Sequence, residues 1–358
     1  MQVFKNNLSI GRFFASIFLI AAGLTFLIAG LIFIVDPYAI WRHQAIQRIN
    51  EIKLETTSAS QVGTAVLRSA VHPPDVLILG SSRVRRGFNE TFASQLYRSS
   101  VQVAGINALQ LSNIKDLFST FRQRAQIKKL YLEVNYFTSN ACTLKNEALA
   151  NKSDLADPLH YFSPQDAIVH SLRTLKINLF PLRSFDNYFD VQGRYHDDPS
   201  EGMSRTGGME TYESRYNRLF QSMTSRCQRQ ASNAADTKDL SDIIRLAQAR
   251  QTEIILLILP VSARWQTRIQ QAGLSPQVTQ WKKNIILVAS QFHVPVLDYE
   301  ERSDVNALAE NSNRAMPMFW DETHFSNRLG DYILRDMQYA SHVATIHSNR
   351  QGSLRPQP

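Results

Sequence analysis

The chain has 358 residues, of which 44% are hydrophobic and 20% charged, so it buries a sizeable core and is excluded from the disordered class. Its formal charge of +8 admits three counterparts: an anionic membrane surface, an acidic polymer or nucleic acid. It carries no Lys/Arg-rich block and no nucleic-acid-binding motif, so no nucleic acid is expected among its partners.

In chain order, the first feature is Phe13 to Val35, a run without a charged residue. As a helix it spans roughly 35 Å, enough to cross a hydrocarbon core. Lys5 and Arg12 precede it and no acidic residue does, whereas Asp36, Arg42, Arg48, Glu51 and Lys53 follow in a mixed flank. The positive-inside rule then places the N-terminus in the cytoplasm and the rest outside it. A cleaved signal peptide is the alternative, but the run is long for one and lacks a small-x-small site before Asp36. The expected organisation is a tail over 1–12, a transmembrane helix over 13–35, a connector over 36–74, one α/β domain over 75–340 and a disordered tail over 341–358.

Five short apolar runs read as buried strands of a parallel sheet: Val76–Leu79, Val101–Val103, Leu130–Val134, Ile254–Leu259 and Val294–Leu297. Pro295 puts the last at an edge. Helical patterns over Ser112–Gln126, Asp239–Gln251 and Gln277–Gln291 fall between them, which is the rhythm of βαβ units. A polar, aromatic stretch over 144–236 breaks that rhythm and reads as an insertion that forms a lid or a substrate wall. The two cysteines, Cys142 and Cys227, fit neither a zinc spacing nor a CxxC motif. They pair in an oxidising compartment or stay as two thiols in a reducing one.

Functional groups in an open parallel sheet gather at the carboxyl ends of the strands. Gly80-Ser81-Ser82-Arg83 follows the first strand, Gly105-Ile106-Asn107-Ala108 the second and Asn135-Tyr136 the third. Trp320-Asp321-Glu322-Thr323-His324-Phe325 follows the last after a loop. A hydroxyl nucleophile, a backbone amide turn, a side-chain amide and an Asp/His pair are the parts that acyl transfer through a covalent intermediate requires. A second Asp-x-x-His, Asp157 to His160, lies in the irregular middle and is taken as a decoy.

These blocks resemble the SGNH (GDSL-like) hydrolase superfamily, over roughly Asp75 to Met337. Within it they resemble the membrane-anchored cell-envelope branch that includes alginate O-acetylation factors and the teichoic acid D-alanyl transfer protein. Val35-Asp36-Pro37-Tyr38 after the anchor is similar to that branch too. The first block, Gly-Asp-Ser-Leu in the family, reads Gly80-Ser81-Ser82-Arg83 and makes Ser82 the nucleophile. Ala108 stands where the second block supplies an oxyanion amide, usually from Gly. In the third block, Gly-x-Asn-Asp, Asn135 matches while Glu133 and Tyr136 depart. The fifth, Asp-x-x-His, is complete as Asp321 and His324.

The resemblance implies a flavodoxin-like α/β fold with a parallel sheet flanked by helices. It also implies a Ser82/His324/Asp321 triad, an oxyanion hole from the amides of Ser82 and Ala108 with the Asn135 side chain, and neither metal nor cofactor. It further implies a serine esterase or O-acyltransferase of a cell-envelope polysaccharide, acidic or neutral, held in the bacterial inner membrane with its domain in the periplasm. A multi-spanning acyl donor protein is then a possible partner. The departures at Ser81, Ala108, Glu133 and Tyr136 keep a second reading open, a degenerate domain that scaffolds exopolysaccharide machinery. Arg83, with Arg85 and Arg86 beyond it, is a candidate for an acidic glycan, and Tyr136 and Trp320 are candidates for stacking on sugar rings.

Overall fold

The computed structural model describes residues 2–41, 45–139, 142, 161–180, 187–190, 193–197, 234–310 and 318–352, with six further residues between 217 and 227. Helix α1, Gln2–Val35, contains an apolar segment, Arg12–Val35, that is long enough to cross a membrane. Phe18, Phe26 and Leu27 on it are each more than 70% exposed, and no described element covers them. The helix already begins at Gln2, so the expected tail before Phe13 continues the same rod.

Five parallel strands form the main sheet: β2 (Val76–Gly80), β3 (Val101–Gly105), β4 (Lys129–Glu133), β7 (Glu253–Ile258) and β8 (Val296–Asp298). Their spatial order is β3-β2-β4-β7-β8. The second strand in sequence therefore lies outside the first, which is the flavodoxin-like arrangement. The order of the strands reverses direction at β2, which puts the topological switch point of the sheet at that strand's carboxyl end. Pro295 stands just before β8, at the sheet edge, where its missing N–H breaks no ladder.

Side chains alternate along these strands and feed two cores. Leu77 and Leu79, Leu130 and Leu132, and Ile254 and Leu256 face one layer with helices α2 (Ser58–Val71), α5 (Leu111–Arg124), α7 (Ala234–Gln248) and α9 (Ser275–Gln291). Val76 and Ile78, Tyr131, and Ile255 and Leu257 face the other, with α3 (Ser82–Gly87), α4 (Glu90–Tyr97) and α11 (Asn327–Gly352). Both faces being covered explains why these strands are continuous apolar runs. Each fully buried aliphatic side chain here contributes about 1.5–3 kcal/mol relative to exposure.

Within the expected insertion, α6 (Pro164–Leu179) packs against α1, and β5 (Asn187–Phe189) pairs with β6 (Tyr195–Asp197). β1 (Lys53–Leu54) of the connector pairs antiparallel with β5, so the two regions share one small sheet. The connector also grips the end of α1. Lys53 Nζ donates to the carbonyls of Val35 and Asp36 at 2.6 and 2.7 Å, and Asn50 Nδ2 donates to that of Ile34 at 3.0 Å. These oxygens are among those a helix leaves without internal partners at its C-terminus. Cys142 and Cys227 form a disulfide.

Helix α11 continues to Gly352 rather than giving way to disorder at Ser341, as the composition suggested. Ser341 to Arg350 contains neither Pro nor Gly, so nothing there stops a helix already begun at Asn327.

Candidate active site

Strands β3, β2 and β4 lie side by side, with Gly80 opposite Gly105 and Leu79 opposite Leu132. That register sets the three loops carrying Ala108, Ser82 and Asn135 next to one another. Gly80 and Gly105 are the close approaches that permit it. A Cβ on Gly80 would lie 2.5 Å from Glu133 Oε2, and one on Gly105 would lie 2.3 Å from the Arg85 backbone nitrogen.

Ser81 and Ser82 start α3. Ser81 is the N-cap: its Oγ accepts from the Arg83 amide at 3.3 Å. Its own amide and hydroxyl donate to the Glu133 carboxylate at 2.6 and 3.1 Å. Glu133 lies on the same face of β4 as Tyr131, beneath the start of α3, and is 4% exposed. A buried acid at the end of an apolar strand requires partners, and it has Ser81 and the Arg83 guanidinium at 3.6 Å. Ser81 is thereby tied into the interior, and Ser82 is left at the half-buried position.

Ser82 Oγ lies 2.8 Å from His324 Nε2, and His324 Nδ1 lies 2.6 Å from Asp321 Oδ2. Asp321 Oδ1 accepts from the amides of Thr323 and His324 at 2.7 and 2.8 Å and from Thr323 Oγ1 at 3.1 Å. Burial pushes the Asp321 carboxyl up, but the charge of His324, its hydrogen bond and these amides outweigh burial and hold it well below the usual carboxylate range. Nδ1 is thus the donor to Asp321, which leaves Nε2 to accept a proton from Ser82.

The loop carrying the pair is braced at both ends. Phe319 and Phe325 form an antiparallel bridge, and the Ser326 amide donates to the Met318 carbonyl at 2.8 Å. Glu322 turns inward to Arg268 Nε at 2.6 Å and Arg264 Nε at 3.0 Å, the latter two on α8 (Ala263–Gln271).

The other predicted residues divide. Asn135 caps the short turn Tyr136–Thr138, its Oδ1 accepting from the Phe137 amide at 2.9 Å. With the oxygen engaged, Nδ2 is the group left to donate outward. Ala108 is exposed with φ +54°, a left-handed conformation that costs a non-glycine residue about 1 kcal/mol. Among the described residues, neither its amide nor that of Ser82 nor Asn135 Nδ2 donates to a protein group.

Arg83 is placed otherwise than expected. It is 5% exposed, and its guanidinium donates to the carbonyls of Leu259 and Pro260, so it ties α3 to the end of β7 instead of facing a glycan. Tyr136 is 6% exposed and packs its ring on Phe137 and Trp281 at 5.2 and 6.1 Å, so it belongs to the core rather than to a sugar platform. Trp320 stays partly exposed beside Asp321, with its ring 6.2 Å from Tyr195. Phe325 is fully buried on Phe88. Asp157 and His160 lie outside the described residues.

Sequence reasoning missed a second layer. Arg86 reaches Glu55 at 3.0 Å and Asp321 at 3.9 Å, and its guanidinium stands 5.0 Å over the Tyr195 ring. Arg85 stands 4.8 Å over the ring of Phe189. The β5–β6 hairpin is thus one wall beside the triad. Glu133 had a readable signal, a charge inside a buried strand. Glu55 and Tyr195 had none, because their partners are remote in sequence. A cavity of about 540 Å³ between Tyr38, Lys53, Arg68, Arg85 and Phe189 includes no triad residue in its lining.

No protein-family model matches the chain, and no curated protein does. Among solved structures it is similar to the acetyl xylan esterase AlAXEase, at 12% identity and a TM-score of 0.37 over 74% of this chain and 98% of that one. It is also similar to a catalytic mutant of an acetylxylan esterase from Geobacillus stearothermophilus, at 10% identity and a TM-score of 0.37 over 74% and 91%.

Proposed function

We propose that the chain is a membrane-anchored serine esterase or O-acyltransferase that removes or moves an acyl group, in the first place acetyl, on a cell-envelope polysaccharide. The observation that carries the reading is the unbroken relay Ser82 Oγ, His324 Nε2, His324 Nδ1, Asp321 Oδ2, at 2.8 and 2.6 Å. It stands just past the carboxyl end of β2, on loops next to those whose Ala108 amide and Asn135 Nδ2, like the Ser82 amide, donate to no described protein group.

His324 takes the Ser82 proton as Oγ bonds to the ester carbonyl carbon, and the carbonyl oxygen becomes an oxyanion. The amides of Ser82 and Ala108 and Asn135 Nδ2 donate to that oxyanion. As it collapses, the bond to the alcohol breaks and His324 returns the proton to the departing oxygen. Water then releases the acyl group in an esterase. In a transferase a sugar hydroxyl accepts it, and a multi-spanning partner is the source of donor acyl groups.

The exposed apolar surface of α1 supports the anchor, and the disulfide supports an oxidising compartment such as a periplasm. A fluorophosphonate probe tests the site. The wild type is expected to label and to hydrolyse an activated acetyl ester, whereas Ser82→Ala and His324→Ala lose both while remaining folded. A wild type that neither labels nor hydrolyses overturns the enzyme in favour of a scaffold.

A further inference from the structure

Helix α6 carries apolar residues on its exposed face as well as its buried one. Its buried positions are Ala167, Ser171, Thr174, Ile177 and Asn178, while Val169, Leu172, Leu179 and Phe180 are 44%, 53%, 50% and 64% exposed. Their spacing puts them in one stripe, with exposed Arg173 and Lys176 among them. A helix whose outer face meets only water carries polar and charged residues along that face.

The position of α6 names what covers the stripe. Ala167 shares a small apolar cluster with Tyr38, Ile40 and Ile32 of α1, and the Tyr38 ring stands 5.4 Å from that of His170. At the other end Asn178 exchanges hydrogen bonds with the Ile52 backbone, accepting at 2.9 Å and donating at 3.0 Å. Ile52 adjoins Lys53, which caps the end of α1. Both ends of α6 are therefore clamped where the apolar span stops at Val35. The stripe is thus held beside the end of that span.

We propose that α6 is an interfacial helix whose exposed stripe lies in the surface of the phospholipid bilayer that α1 crosses. Val169, Leu172, Leu179 and Phe180 enter the acyl boundary. Arg173 and Lys176 reach back along their aliphatic stems to lipid phosphates, which favours anionic lipid. A helix anchor alone leaves a domain free to swing; a second contact beside it fixes the tilt of the domain and hence the direction its candidate site faces. The inference rests on the anchoring role given to α1.

The test uses the full chain in vesicles of phosphatidylethanolamine and phosphatidylglycerol. The described residues hold no free cysteine, so a single introduced one takes an environment-sensitive dye selectively. Dyes are placed at Leu172→Cys and Leu179→Cys, at Phe18→Cys within α1, and at Leu287→Cys, which is 59% exposed on α9. The expected result is blue-shifted emission at 172 and 179, quenched by a nitroxide carried near the lipid headgroup and protected from aqueous iodide, with the reverse at 287. Lipid quenching at 18 but none at 172 and 179 overturns the interfacial helix and leaves the anchor standing. Protection from iodide at 172 and 179 without lipid quenching also overturns it, in favour of a protein on the stripe. No lipid quenching at 18 removes the anchor and the interfacial helix together.

Discussion

Ser81 and Ser82 are neighbours with opposite surroundings, one tied to a buried carboxylate and the other to an imidazole. Ser81→Ala should therefore keep fluorophosphonate labelling while losing a helix cap and the hydroxyl's bond to the buried Glu133 carboxylate, a stability cost of about 2–3 kcal/mol in a denaturant titration. If the proposed oxyanion role holds, Asn135→Ala should lower kcat on an acetyl ester by roughly 10²–10³-fold with little change in KM, because the donor would then meet charge that develops only in the transition state. A loss confined to KM would remove Asn135 from the oxyanion hole. Asp321 also makes a prediction about acid. Its carboxyl sits lower in the folded chain than in the unfolded one, so its contribution to stability is full above the ordinary carboxylate pKa of about 3.9 and falls away as pH drops through the lowered folded value. The stability gap between wild type and Asp321→Asn should hold from neutral pH down to about pH 4 and narrow below it, read from denaturant midpoints.

Among the elements, the connector and the insertion hold each other through β1 and β5, and the disulfide closes the insertion across 85 residues. Loop-closure entropy for a crosslink of that span is worth about 4.5 kcal/mol, so paired Cys142→Ser and Cys227→Ser should lower the melting temperature clearly. Mass spectrometry without reductant should find no alkylatable thiol. Lys53 makes the junction with α1 sensitive to pH. Burial lowers its pKa from 10.5 to about 8, against the opposing pull of Asp36. Between those values the unfolded chain binds a proton that the folded chain does not, so stability should rise with pH across that window. Lys53→Met should abolish the rise in thermal melts of the detergent-solubilised protein.

For the whole molecule, orientation is the open quantity with a direct consequence for substrate. Lys5 and Arg12 precede the apolar segment with no acid among them, and on the positive-inside rule the proposed orientation is N-terminus inside and domain outside. A C-terminal alkaline phosphatase fusion should be active in intact cells. An inactive fusion would reverse the orientation and would remove cell-envelope glycans from the reading.

Much of the architecture was legible along the chain, because apolar runs of strand length alternating with helical periods leave few arrangements beyond a covered parallel sheet. Each of the five runs lies in a strand, displaced by a residue or two where burial and hydrogen bonding, rather than hydrophobicity, set the end. The residues of the candidate site were legible for a related reason: Ser82, Ala108, Asn135 and the Asp321/His324 pair all follow strands or the loop after the last one. What the sequence could not carry is direction. Whether Arg83 points to solvent or to the carbonyls of Leu259 and Pro260 depends on a strand that begins some 170 residues later. Whether Glu133 is a departure from a motif or the anchor of the Ser81-Ser82 turn depends on which face of β4 lies under α3. Local pattern is dictated by the periodicity of the backbone, which neighbouring residues share. The partner of a buried charge is dictated by the sheet order, which brings together groups that only the folded chain makes neighbours.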